Sequence, residues 1–125
     1  MDFQTDAQKA CYEKVAGYMK ELFGEFARLR DDAPIFVIML GSALAQTFVV
    51  PWGNDDAVVM TRAWVVQGVE QTPELMRYLL EQNFNMLFGA FGVDSAGDIA
   101  FDHSIVGSTC DKEELRAAVM AVVQT

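Results

Sequence analysis

The residues between Asp32 and Asp55 carry no charge, and this segment constrains the fold more than any other part of the sequence. Two runs within it, Ile35–Leu40 and Ala43–Val50, are rich in β-branched and aromatic residues. They are separated by Gly41-Ser42, and a two-residue link with glycine first is typical of a tight hairpin turn. The segment therefore predicts a β-hairpin.

A membrane-spanning helix is the other structure that an uncharged apolar segment can form. Such a helix needs a continuous apolar stretch of roughly 18 residues or more. The apolar run here is shorter, is interrupted by Gly41-Ser42 and Gln46-Thr47, and is bounded by Pro34 and Pro51. We therefore expect no membrane segment.

Both faces of the predicted hairpin are apolar, because alternate residues of a strand point to opposite sides. Phe36, Ile38 and Leu40 share one face with Ala45. The opposite face, with tryptophans that follow the hairpin, is our candidate interaction surface. It consists of Ile35, Val37, Met39, Leu44, Phe48, Trp52 and Trp64. For Trp52 and Trp64, burial in the core is an equally good interpretation.

Two arrangements would cover both faces of this hairpin. The helices of the chain could divide between the two faces, or they could cover one face while a partner covers the other. A second copy of the chain is the favoured partner, because two-fold homodimers are the commonest soluble assemblies and would bury an apolar patch. A protein client would shield the same surface.

Patterns outside the hairpin predict three helices and three further strands. Apolar residues at helical spacing run from Asp6 to Phe23, from Thr72 to Asn83 and onward from Asp111, with Thr72 and Asp111 as N-caps. Extended runs span Ala57–Val66, Met86–Val93 and Asp98–Val106. The predicted order is α-β-β-β-α-β-β-α.

This order predicts an α+β fold with two layers, in which helices pack on one face of an antiparallel five-stranded sheet. Short hairpin links exclude the crossovers that a parallel sheet requires. A chain of 125 residues is the size of one domain, so residues 1–125 are expected to form a single unit.

The charge balance argues against nucleic acid and anionic membranes as partners. Eighteen acidic residues against nine basic ones give a net charge of -9. No lysine or arginine lies between Arg30 and Arg62 or between Arg77 and Lys112, so no basic stripe can follow a phosphate backbone. Acidity of this kind favours basic protein clients.

The cysteines and the N-terminal residues bear on where in the cell the protein is expected. Cys11 and Cys110 are too few for a disulfide framework and lack zinc-ligand spacing, which fits a reducing cytoplasm. The first ten residues lack the apolar core of a secretion signal. The last helix meets no glycine or proline stop, which is consistent with a chain that continues beyond Thr125.

No catalytic constellation is expected. Asp102, His103 and Ser104 supply the residue types of a hydrolase triad, but in a strand His103 points to the face opposite the other two. Cys110 precedes a helix start, where the helix dipole would lower its pKa, whereas neighbouring acids would oppose a thiolate. Cys11 lies on the apolar stripe of the first helix and is expected to be inert.

No metal or cofactor site is expected either. Asp94 and Asp98 flank a turn that is too short for a helix-flanked calcium loop. Gly89 and Gly92 do not have the spacing of a phosphate-binding loop. One alternative remains open, namely a small-molecule pocket between helix and sheet near His103 and Trp64.

Several segments of the C-terminal half resemble the YbjN-like family of bacterial proteins. They are the run from Thr72 to Leu80, Phe88–Gly92, Gly97–Ile99 and the stretch from His103 to Leu115. The resemblance implies a fold similar to that of type III secretion chaperones, small acidic proteins that dimerise and hold partner polypeptides. It implies no chemistry and no active-site residue.

The residues and the resemblance together predict a non-enzymatic, protein-binding homodimer with a chaperone-like or regulatory role. The alternative is a small-molecule-binding domain or an unrecognised enzyme with a pocket between helix and sheet.

Overall fold

The computed structural model describes residues 1–124, so the expected continuation beyond Thr125 lies outside the described part. These residues form three helices, six strands and two short 3₁₀ turns. The helices are α1 (Asp6–Phe23), α2 (Pro73–Asn85) and α3 (Lys112–Val123). The strands are β1 (Ala27–Leu29), β2 (Ile35–Leu40), β3 (Ala43–Trp52), β4 (Asp56–Val66), β5 (Ala90–Val93) and β6 (Ile99–Val106).

All six strands form one open sheet in the order β1-β2-β3-β4-β6-β5, and every neighbouring pair is antiparallel. The central hairpin has the predicted register, in which Leu40 pairs with Ala43 and Ile35 with Phe48. Gly41 has φ 62°, as the first position of such a turn requires. The α+β class and the antiparallel sheet are confirmed.

The predicted number of five strands is wrong. The additional strand, β1, pairs with β2 at the edge of the sheet, so that Ala27 lies beside Ile38 and Leu29 beside Phe36. A strand of three residues is too short to show an alternating pattern. Arg28 in its middle also breaks the apolar run, so the segment appeared irregular in the sequence.

Two strand boundaries differ from the prediction by more than one residue. β3 continues through Pro51 to Trp52, because β2 pairs with β3 only as far as Phe48 and leaves that side of Pro51 without a neighbouring strand. β5 begins at Ala90 rather than Met86. Gly89, with φ 75°, lies so close to the Phe101 ring that a Cβ atom would come within 2.6 Å of it.

Helices α1 and α3 pack side by side on one face of the sheet, which we call the inner face. The core consists of residues from both helices and from β2, β3 and β4, among them Val15, Met19, Phe36, Ile38, Val49, Val59, Leu115 and Val119. Helix α2 does not join this layer and packs against the edge strand β5. The prediction of helices on one face therefore holds for α1 and α3. No helix within residues 1–124 is both long and apolar enough to cross a bilayer.

Both N-caps that the sequence predicts are present. The Thr72 side chain accepts a hydrogen bond from the backbone N–H of Leu75, and the Asp111 side chain accepts one from Glu114. These bonds satisfy donors that have no partner inside the helix, so they locate the starts of α2 and α3.

The free edge of β5 is closed by a side chain. The Asn83 amide donates to the carbonyl oxygen of Phe91 at 3.1 Å and accepts from the Phe91 backbone N–H at 2.6 Å. A single carboxamide thereby makes the two hydrogen bonds that a further strand would make at this position.

A pair of buried threonines lies on the inner face of the sheet. Thr47 on β3 and Thr61 on β4 are direct cross-strand neighbours, both are buried, and their hydroxyl oxygens are 2.9 Å apart. Each hydroxyl satisfies the other in a place that water does not reach. Removing one of the two hydroxyls should therefore lower the free energy of unfolding more than removing both.

We expect Thr47→Val to lower the free energy of unfolding by about 1–3 kcal/mol, because the Thr61 hydroxyl loses its partner. The double variant T47V/T61V should be more stable than either single variant. Urea unfolding of the four proteins measures both effects. Additive losses in the double variant would contradict this account of the pair.

Candidate functional site

The sheet face opposite α1 and α3, which we call the outer face, is apolar over most of its extent. Rows of paired residues cross it, such as Ile35, Phe48 and Met60 in one row and Val50, Val58 and Val106 in another. Its apolar residues are Ile35, Val37, Met39, Leu44, Phe48, Val50, Trp52, Val58, Met60, Trp64 and Val106.

All seven residues of the candidate interaction surface lie on this outer face. Met39, Leu44, Trp52 and Trp64 are exposed, and Ile35, Val37 and Phe48 are half-buried. Neither tryptophan belongs to the core, so the core interpretation of Trp52 and Trp64 is wrong. That this surface binds a partner remains a prediction.

Four apolar residues of the outer face were missed in the sequence, namely Val50, Val58, Met60 and Val106. The signal was present, because each of them alternates along its strand with a residue of the inner face. This alternation does not show by itself which residues lie side by side. That depends on the register of β4 against β3 and β6, which the sequence pattern does not supply.

An ion pair between Arg62 and Asp102 lies within the largely apolar outer face, and the two charges neutralise each other. The Arg62 guanidinium binds Asp102 at 2.8 Å, contacts the Met60 sulfur and lies 6.0 Å from the centre of the Trp64 ring. The Trp64 indole N–H donates to Asp94 at 3.0 Å. These contacts hold Arg62 and Trp64 in fixed positions on the surface.

The Trp64 contact also affects the ionisation of Asp94. The indole N–H, followed by the backbone N–H groups of Asp98, Ala96 and Gly97, holds the pKa of the Asp94 carboxyl below its ordinary value. Asp94 therefore stays a carboxylate at neutral pH and anchors one end of the Trp64 side chain.

Helix α2 exposes a second apolar surface that sequence reasoning missed. The exposed fraction is 90% for Phe84 and 94% for Leu87, and Leu80 and Tyr78 are exposed as well. We call Leu80 and Phe84 of α2, together with Leu87 just beyond its end, the α2 patch; Tyr78 is two residues from Leu80 and points to another side of the helix. Helical spacing predicts one packed face made of Leu75, Met76, Leu79 and Leu80. For Leu80 this is wrong, because only Leu79 of this helix is buried and Leu80 is exposed. A helix at the sheet edge has little protein to pack against.

The three triad-like residues of β6 lie as the strand geometry predicts. Asp102 is on the outer face with Arg62, whereas His103 is on the inner face, where its ring meets Phe88 edge-on at 5.6 Å. Trp64 pairs with Ala100 and thus faces the side opposite His103. The alternative of one pocket near both His103 and Trp64 is therefore wrong in its geometry.

A shallow cavity of about 300 Å³ does lie beside His103. Its floor is apolar, with Phe88, Ile105 and Ala117, and the acidic first turn of α3 lies at its rim. The cavity is open to solvent, and two of its three carboxylates are engaged elsewhere, since Asp111 caps α3 and Glu113 pairs with Arg116, whereas Glu114 also lines it. The arrangement supplies no assembled chemistry.

The two aspartates of the β5–β6 loop act as turn residues. The Asp94 side chain accepts backbone hydrogen bonds from Ala96 and Asp98, and the Asp98 side chain accepts one from Gly68. Among residues 1–124, no three His, Cys, Asp or Glu side chains are grouped in a way that could hold a metal ion.

Both cysteines lie in the core as free thiols. Burial raises the pKa of Cys110 to about 11, and it also raises the pKa of Cys11. For Cys110 the loss of hydration is the largest cause and outweighs the opposing charge of Lys14, and the neighbouring carboxylates of Glu114 and Asp111 act in the same direction as burial. Neither thiol is a nucleophile at neutral pH.

The raised pKa of Cys110 has a consequence for stability at alkaline pH. An unfolded thiol loses its proton above its ordinary pKa of 9.0, whereas folded Cys110 keeps its proton up to about pH 11. Unfolding therefore releases a proton in this window, and stability should fall as pH rises through it.

We expect the free energy of unfolding to decline more steeply between these pH values in the wild type than in Cys110→Ala. Urea unfolding at stepped pH measures the two slopes. Equal slopes would contradict the assignment of a raised pKa to Cys110.

The sequence model of TY-Chap1, described as T3SS (YopN, CesT) and YbjN peptide-binding chaperone 1, matches residues 10–125. No curated protein matches the chain. The match extends the YbjN-like resemblance, first noted in the C-terminal half, over nearly the whole sequence and confirms it. The chain therefore belongs to the TY-Chap1 family.

Proposed function

We propose that this protein binds apolar segments of partner polypeptides on the outer face of its sheet, as a non-enzymatic chaperone-like or regulatory protein. The observation that carries the proposal is the contrast between the two sheet faces. The inner face is buried by α1 and α3, whereas Met39, Leu44 and Trp52 on the outer face stay exposed. The description of the family as peptide-binding supports this proposal.

The outer face suits a peptide better than a compact small molecule. It is broad and runs along strands, so an extended segment could place alternate side chains on the apolar rows. Its central charges, Arg62 and Asp102, already form a pair and do not require an ionic ligand. Large exposed apolar surfaces of this kind mark interaction sites in soluble proteins.

The net charge of the chain favours clients with basic flanks. Uncharged side chains dominate the outer face itself, so its contacts with a client are apolar, whereas the chain as a whole carries a net charge of -9. A field of this sign attracts positively charged segments and speeds their encounter with the surface, more strongly at low ionic strength than at high.

We further propose that the protein is a homodimer formed through the α2 patch. Phe84 and Leu87 are almost fully exposed; Leu80 lies one helical turn before Phe84, and Leu87 follows the end of α2, so a second copy could bury all three around a two-fold axis. In this arrangement the outer face stays free for a client, because α2 packs at the β5 edge.

The peptide proposal predicts the effect of making the outer face polar. We expect the double variant M39Q/L44Q, at a cross-strand pair, to raise the Kd for a labelled apolar peptide with lysine ends about tenfold or more, which corresponds to about 1.4 kcal/mol. The change adds no charge and affects exposed side chains, so the fold should persist. Fluorescence anisotropy measures the Kd, and circular dichroism checks the fold.

The matched control is L80Q/F84Q, which makes the same kind of change on the α2 patch and should leave the Kd within about twofold. Equal weakening by both double variants, or no binding of the peptide by the wild-type protein, would contradict the assignment of the outer face as the peptide surface.

The homodimer proposal predicts that L80Q/F84Q, and not M39Q/L44Q, changes the oligomeric state. We expect light scattering at micromolar concentration to show a dimer for the wild type and for M39Q/L44Q. We expect a monomer for L80Q/F84Q, because the α2 patch loses its apolar contacts. A wild-type monomer would refute the dimer. A dimer that dissociates only in M39Q/L44Q would move the interface to the outer face.

A further inference from the structure

Strands β3 and β4 pair along most of their length and then separate. Their register runs from Trp52 and Asp56 to Gln46 and Arg62, and it ends there. The next residues on the outer face, Leu44 and Trp64, form no pair with each other although both strands continue. The centre of the sheet thus opens into a split between the start of β3 and the end of β4.

Different neighbours hold the two sides of this split apart. Beyond Gln46, β3 stays paired with β2, and Leu44 lies beside Met39. Beyond Arg62, β4 stays paired with β6, with an irregularity between Trp64 and Val66. A bulge of this kind bends a strand and increases its twist, which explains why β4 turns away from β3 at this point.

The split forms a cavity of about 530 Å³ that is open to solvent. Leu44 and Trp64 line it on the outer face, and Val122 and Val123 at the end of α3 line it from the inner side. The remaining lining residues are Ser42, Ala43, Gln46, Arg62, Ala63, Val65 and Gln67. Among residues 1–124, Arg62 is the only charged side chain that lines the cavity, and it is paired with Asp102.

A strand presents the backbone N–H and C=O groups of every second residue to each side. On the side of β4 that faces β3, the strand pairing ends at Arg62, so the backbone beyond it has a free edge in the split. Free edges of this kind accept an extended polypeptide as an additional strand.

We propose that the split binds an extended, uncharged stretch of the client as an additional strand along the free edge of β4 from Ala63 to Val65. This inference rests on the proposed peptide-binding function and names the place and mode of binding. Alternate side chains of the client then contact Leu44 and Trp64 on one side of the sheet and Val122 and Val123 on the other. Small and β-branched side chains fit, because the split is narrow at Gln46 and Arg62.

The backbone part of the proposal is tested with synthetic peptides of alternating valine and threonine that have a lysine at each end and a fluorescent label. One peptide is unmodified, and two carry N-methyl groups at the odd or at the even positions. A strand offers only alternate N–H groups to its neighbour, so we expect one methylated peptide to bind at least about tenfold more weakly and the other to bind nearly as well as the unmodified peptide.

The protein side is tested with neighbouring valines of nearly equal exposure. Val65 is 43% exposed and lines the split, whereas Val66 is 42% exposed and does not. We expect Val65→Lys to weaken binding of the unmodified peptide about tenfold and Val66→Lys to change it less than about twofold. Circular dichroism and urea unfolding of both variants check that each one is folded.

The outcomes separate this inference from the proposed function. Absence of binding by the unmodified peptide would refute both. Binding that M39Q/L44Q weakens, but that responds neither to the position of the methyl groups nor to Val65→Lys, would refute strand addition and leave the outer-face proposal standing. Conversion of a dimer to a monomer by Val65→Lys would assign the split to a second copy of the chain and overturn the client assignment.

Discussion

The packing of α1 and α3 on the inner face of the β2–β3 hairpin is the interaction on which the rest of the structure depends. Phe36 and Ile38 become fully buried there, and the Tyr12 ring of α1 stacks on Phe36 at 5.1 Å. The buried Gln8 side chain donates to the carbonyl oxygen of Val49 and ties the start of α1 to β3. Two helices used in this way leave the outer face, which is equally apolar along the hairpin, without cover from either of them.

Local patterns predicted the hairpin well, because turn chemistry and strand alternation act over a few residues. Gly41-Ser42 alone determines that Met39 faces Leu44 and that Phe36 faces Thr47. Strand β1 escaped prediction for the opposite reason. Its place in the sheet depends on β2 as a neighbour, and its three residues have too little pattern of their own to show it.

The part of the outer face that the β2–β3 hairpin forms was predictable from the sequence, and most of the part that other strands add was not. The residues from Ile35 to Phe48 follow from the hairpin, whereas Met60 and Val106 join them only through the pairing of β4 with β3 and β6. The α2 patch shows the limit of helical periodicity. Leu79 and Leu80 are adjacent and chemically identical, but only Leu79 meets a neighbouring element, so one is buried and the other is exposed.

The hydrogen bonds between Asn83 and the Phe91 backbone bear on how the protein avoids polymerising. A protein that exposes a broad apolar surface to water is at risk of forming fibrils in which sheets join edge to edge. Such growth starts at unprotected strand edges. One outer edge is capped by this carboxamide, and the other ends in a three-residue strand with an arginine at its centre. Self-templated growth is thereby discouraged at both margins, although the outer face between them stays apolar.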